Sequence, residues 1–176
     1  MRATRKGFTL IEVVVTMSVM STLLAVGLPA FAALLENQRT SAALAALVSQ
    51  MSHARLAAVK PRRPVILCPS STGARCDGGT DWSGGWMVFV DRGDRTRPSR
   101  PGDVLQFESI PMSRHLQVRS SAGRAFLRYM PDGRSAGSNL TIVVCSPDHE
   151  RLGAVVVNNA GRPRIERGGG GAPCPA

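Results

Sequence analysis

Lys6-Gly7-Phe8-Thr9-Leu10-Ile11-Glu12, followed without a break by VVVTMSVMSTLLAVGLPAFAALL over residues 13–35, gives this 176-residue chain a short basic leader and a long apolar run. Residues 13–35 carry no charge. As an α-helix rising about 1.5 Å per residue they would span roughly 35 Å, enough to cross the core of a bilayer. A secretory signal peptide shares the basic start and the apolar stretch, but its apolar region is shorter and is closed by a small-residue cleavage site. Here no Ala-x-Ala site ends the run, and the apolar segment passes into further helix.

Downstream, over residues 37–59, Leu44, Leu47, Val48, Met51 and Ala58 recur at helical spacing, while Arg39, Gln50, His53 and Arg55 interrupt them without a strand period. One helix, apolar first and amphipathic second, is the economical reading. Pro61 and Pro64 bracket its end, because proline lacks an amide donor and disfavours helix in the residue before it. Beyond them come short β-branched and aromatic runs at 65–68, 86–90, 104–108, 116–119, 125–129, 140–145 and 154–158. Asp77-Gly78, Arg92-Gly93-Asp94, Pro131-Asp132-Gly133 and Asn159-Ala160-Gly161 supply turns between them. The pattern predicts an α+β chain, a long helix packed on antiparallel sheet. With 43% hydrophobic residues, it has room for one modest globular domain and an N-terminal extension.

The formal net charge is +10, and discounting Arg2, Arg5 and Lys6 in the leader still leaves +7. Lys60 is the one lysine after the leader, so the basic character is arginine, whose planar donor fork suits phosphate. A GC-rich genome would favour arginine equally. The four cysteines, Cys68, Cys76, Cys145 and Cys174, form no CxxC pair, and His53, His115 and His149 are scattered, so no metal site is expected. In an exported domain the cysteines read as two disulfides. Three pairings exist; the short loop 69–75 favours Cys68 with Cys76, which leaves Cys145 with Cys174 to tie down the Gly- and Pro-rich tail 167–176. Asp77 with Asp81, or Asp91 with Asp94, lacks the alternating oxygen ligands of a calcium loop and reads as turn-forming. No nucleophile elbow, phosphate-cradling loop or histidine–nucleophile cluster is present, which argues against an enzyme and against a cofactor.

The segment from Lys6 to Glu12 resembles the type IV prepilin signature, and Pro29 falls where such pilins often carry a helix-kinking proline. The resemblance implies cleavage after Gly7 and methylation of Phe8 by a prepilin peptidase. It also implies a filament-assembly role for Glu12, whose carboxylate within an apolar span calls for a partner, the Phe8 amine of a neighbouring subunit. A carboxylate that simply reaches water at the membrane interface is the alternative. Asp81-Trp82-Ser83-Gly84-Gly85-Trp86-Met87-Val88-Phe89-Val90-Asp91 and residues 126–133 resemble the GspH/FimT family of minor pilins and type II secretion pseudopilins. In that frame residues 1–7 are a cleaved leader, 8–36 the transmembrane and filament-core helix, and 37–60 its amphipathic continuation. Residues 61–166 are the globular domain, 167–176 the tail, and Trp82 and Trp86 read as core residues. The implied location is the inner membrane, single-pass with the domain in the periplasm, and later the pilus surface, among the major pilin and other minor pilins.

Gly161-Arg162-Pro163-Arg164-Ile165-Glu166-Arg167 resembles the Gly-Arg-x-Arg motif near the C-terminus of FimT-type minor pilins, where it implies binding of double-stranded DNA for natural transformation. Arg162 and Arg164 are two apart, so an extended backbone would turn both guanidinium groups to one face. Gly161 would allow the turn, Arg167 would add charge on a neighbouring stretch, and Arg134 and Arg151 are weaker candidates. Phosphate contacts without base readout would make such binding independent of sequence and steeply dependent on salt. The competing readings are a solvated arginine cluster, or one salt-bridged to Asp148 and Glu150, in a pilin that only primes pilus assembly or serves a type II secretion system.

Overall fold

In the computed structural model, residues 7, 9–109, 115–135, 140–168 and 174–175 are described. The chain divides into two units, Met1–Gln38 and Arg39–Ala176. Helix α1, Leu10–Val59, contributes to both.

In the first unit, residues 10–35 of α1 are exposed throughout and are long and apolar enough to cross a membrane. Thr9 Oγ1 accepts the Glu12 N–H at 3.3 Å, half of a Thr-x-x-Glu capping box that begins the helix. The hydroxyls within the run turn back on the helix. Thr16, Ser18, Ser21 and Thr22 donate to the carbonyls of Val13, Val14, Met17 and Ser18 at 2.7–2.9 Å. In hydrocarbon, where a bare hydroxyl would cost several kcal/mol (roughly 4–8), that is the arrangement that removes the penalty. Pro29 lies inside the helix and withholds one amide from the ladder.

In the second unit, α1 buries Thr40, Ala43, Leu44, Leu47, Gln50, Met51, Ala54 and Ala58, a single stripe at three- and four-residue spacing. Alanines on that stripe let the helix approach the sheets closely. The helix ends with Arg62 in the left-handed region (φ 53) and the Arg63 N–H on the Ala58 carbonyl, ahead of Pro64.

Two four-stranded antiparallel sheets complete this unit. The first holds β1 (Val65–Pro69), β2 (Trp86–Val90), β3 (Val104–Glu108) and β5 (Leu127–Tyr129) in the order β3-β2-β1-β5. The second holds β4 (Gln117–Ser120), β6 (Leu140–Cys145), β7 (Arg151–Val157) and β8 (Pro163–Arg167) in the order β4-β6-β7-β8. Their inner faces and the helix stripe form one core, with Val65, Leu67, Val88 and Leu127 from the first sheet and Val118, Ile142, Val144, Val155 and Val157 from the second. Trp82 and Trp86 are fully buried in it.

Strand β8 is absent from the sequence reading, which ends its strands at residue 158. Pro-Arg-Ile-Glu-Arg lacks apolar alternation because it is an edge strand beside β7 alone, where proline at the first position and charges on the open side are tolerated. Strand β7 also starts three residues earlier than its apolar run, at Arg151, beyond a bulge at Val144/Cys145.

Candidate nucleic-acid interface

The arginine-bearing segment begins at the turn between β7 and β8. Gly161 has φ 74, donates its N–H to the Asn158 carbonyl at 2.8 Å, and lies buried against the Gly133 carbonyl, where a Cβ would collide. Its place is therefore set by close backbone packing as well as by turn geometry. The opposing turn, residues 130–135, closes through the Gly133 N–H on the Met130 carbonyl at 2.8 Å. The Ser135 N–H on the Asn159 carbonyl at 3.2 Å and Ser135 Oγ on the Asn158 carbonyl at 2.9 Å join the two turns. Arg162 and Arg134, each one residue beyond a glycine of this contact, are both exposed.

On β8 the register decides which side chains share a face. Ile165 and Arg167 stand opposite Val155 and Gly153 on the helix side of the sheet, whereas Arg164 and Glu166 stand opposite Val156 and Ala154 on the outer side. Arg167 therefore belongs to the strand itself and to the other face from Arg164, rather than to a neighbouring stretch beside it.

Glu166 Oε1 pairs with Arg164 Nη2 at 2.9 Å and its Oε2 with Arg151 Nη2 at 3.1 Å. The carboxylate engaging the cluster is thus Glu166, and not Asp148 or Glu150. With Glu166 40% exposed and Arg164 67% exposed, these pairs are worth about 0–1 kcal/mol and weaken with salt. Among the described residues no carboxylate pairs with Arg162, Arg134 or Arg167. Arg162 and Arg134 keep their full donor sets, while Arg164 and Arg151 share one acceptor.

Arg55, which the sequence places only as a polar interruption of α1, donates from Nε to the Gly133 carbonyl at 2.9 Å beneath the two turns. Nothing in its spacing signals this, because the contact spans 78 residues of chain.

At the N-terminus, Gly7 is exposed and Glu12 is exposed one turn into α1, while Phe8 lies outside the described residues. Cys68 is bonded to Cys76 (Cα–Cα 5.7 Å) and Cys145 to Cys174 (Cα–Cα 6.3 Å), the latter holding residue 174 against Val143 and Ala154 on the outer face of the second sheet. The aspartates of the turns accept backbone amides: Asp77 that of Ser71, Asp81 that of Ser83, Asp91 that of Gly93 and Asp94 that of Thr96, at 2.7–2.9 Å. Thr96 and Arg97 beside it hold the Asp94 carboxyl down to about 2.

Residues 43–161 match the family model described as Type II transport protein GspH, and residues 2–28 match the prokaryotic N-terminal methylation motif. The Pilin-like protein PilA1 of Thermus thermophilus is 29% identical over 171 residues, which cover 93% of this chain and 99% of that protein. Two crystal forms of the type IV minor pilin FimU of Pseudomonas aeruginosa superpose with TM-scores of 0.57 and 0.58 at 18% and 17% identity. They cover 76% and 79% of this chain and 98% and 97% of theirs. At that identity the likeness is one of fold.

Proposed function

This chain belongs to the GspH family of type IV pilin-like proteins, and from that premise we propose that it is a minor pilin that binds double-stranded DNA through its C-terminal arginines and promotes DNA uptake in natural transformation. Membership makes it a structural protein and not an enzyme. It is processed by a prepilin peptidase, anchored in a membrane by its apolar helix and assembled with other pilins. In our reading the peptidase cuts after Gly7 and methylates Phe8, leaving residues 8–36 as membrane and filament-core helix. Glu12 then meets the Phe8 amine of a neighbour. The basic leader stays in the cytoplasm, as positive charge flanking a span does, which puts residues 61–166 in the periplasm before assembly.

The observation that carries the DNA reading is an exposed Arg162, without a carboxylate partner among the described residues, at the head of an edge strand that also presents Arg164. Duplex DNA presents a dense line of phosphates, and guanidinium forks grip them without reading bases. The test is an Arg162→Ala, Arg164→Ala variant of the full chain in detergent, titrated against a labelled duplex. Two lost phosphate contacts should flatten the log–log salt dependence by about 1.8, at about 0.9 each. Parent-like affinity and slope in the double variant would sink the reading.

A second reading, a pseudopilin of a type II secretion system or a minor pilin that only primes assembly, draws on the family model's own description and on Glu166 occupying two of the arginines. A deletion strain that transforms normally but fails to secrete would favour it.

A further inference from the structure

We propose that Arg55 and Arg134 join Arg162 in one phosphodiester-binding site at the junction of the two turns, with Arg164 at its margin. The inference rests on the DNA-binding reading above and names the residues that would do most of the gripping.

The geometry converges on Gly133. A Cβ built on that residue would lie 3.1 Å from Arg55 Nε and 3.6 Å from its Nη2, so the guanidinium is laid against the glycine with no side chain between them. The Gly133 carbonyl takes the Arg55 Nε–H on one side and abuts Gly161 on the other. Arg134 follows Gly133 and Arg162 follows Gly161, so three arginines from α1 and two separate turns are gathered about one peptide group.

Their charges are not balanced locally. Asp132 is the acidic residue of these turns, and its Oδ1 is occupied by the Arg134 backbone N–H at 2.9 Å. Among the described residues none of the three guanidinium groups is in an ion pair. Beside them the Tyr129 ring lies 3.0 Å from the position of a Gly161 Cβ, and its buried hydroxyl has no hydrogen-bond partner. Burial pushes the Tyr129 hydroxyl pKa up while the nearby Arg55 charge pulls the other way, an independent sign that positive charge reaches this spot. Clustered like charges repel, and a shared multivalent anion relieves the repulsion while accepting several charge-assisted hydrogen bonds. Arg164, by contrast, already has Glu166.

The experiment titrates the full chain in detergent against a fluorescein-labelled duplex between about 50 and 200 mM salt, comparing Arg134→Gln, Arg55→Gln, Arg162→Gln and Arg164→Gln. Each of the first three should weaken binding roughly five- to tenfold and flatten the log–log slope by about 0.9, one phosphate contact apiece. Arg164→Gln should flatten it by less than half as much. A merely structural Arg55 would weaken binding with the slope unchanged. Because Arg55→Gln also releases Gly133, Arg134→Gln is the decisive variant, its side chain holding no other group among the described residues. A parent slope in Arg134→Gln, with the drop appearing in Arg164→Gln, overturns this inference while leaving the DNA reading intact. A parent chain that binds no duplex at the lowest salt overturns both.

Discussion

The two sheets share a core on their inner faces, yet they use arginine in opposite ways on their outer ones. Outside the first sheet, Ile66, Cys68, Met87 and Phe89 form a second small core with Phe126, closed by the Cys68–Cys76 loop. Its arginines are committed. Arg128 Nη2 sits 2.7 Å from Asp91 Oδ2, whose side chain is 1% exposed, and Arg92 Nε sits 2.8 Å from the Asp103 carboxylate, 4% exposed. The Arg128 contact is close but not aligned as a hydrogen bond, so charge holds that pair together. Outside the second sheet the only carboxylate paired with arginine among the described residues is the exposed Glu166, shared by Arg151 and Arg164. Arginine content alone therefore says little about binding. The burial and number of facing carboxylates decide whether a guanidinium is mortar or ligand.

The sharpest way to break this contrast is Arg128→Ala. It leaves the Asp91 carboxylate buried without its cation, and we expect a loss of about 3 kcal/mol in denaturant unfolding with no change in the salt slope of DNA binding. A loss below about 1 kcal/mol would place Arg128 with the solvent-screened pairs of the other sheet. Next is Gly161→Ala, where a left-handed backbone and the Gly133 carbonyl both oppose a Cβ. About 2 kcal/mol of destabilisation should accompany weaker DNA binding, because the two turns carrying Arg134 and Arg162 are forced apart. The smallest effect sharpens the contrast from the other direction. Glu166→Gln should change stability by less than about 1 kcal/mol yet tighten duplex binding roughly threefold by releasing Arg151 and Arg164, and unchanged or weaker binding would count against available arginines on this face.

Much of this was legible in residue order, where the determinants are local. The uncharged run, the three- and four-residue recurrence from Leu44 to Ala58 and the prolines after it specify α1 through periodicity and steric rules that act within a few residues. The core strands show themselves as apolar runs because both of their faces are covered. Strand β8 stays hidden because an edge strand takes its conformation from hydrogen bonds to β7, and its composition reports solvent rather than pairing. The same holds for the site. Arg162 and Arg164 stand out as a motif, but their unequal availability follows from Glu166, and the position of Arg55 follows from a turn 78 residues away. Sequence spacing placed Arg167 with them, whereas strand register puts it on the opposite face.

The inward-turned hydroxyls of Thr16, Ser18, Ser21 and Thr22 have a mechanical corollary. A rod whose polar atoms are already engaged with its own backbone offers a neighbouring rod shape and dispersion but nothing directional. Such a surface grips well across its axis and poorly along it, like a slip plane. From residue 10 to residue 35 Glu12 is the single acidic or basic side chain, so whatever stops one rod from sliding past the next comes from that carboxylate or from outside the stretch.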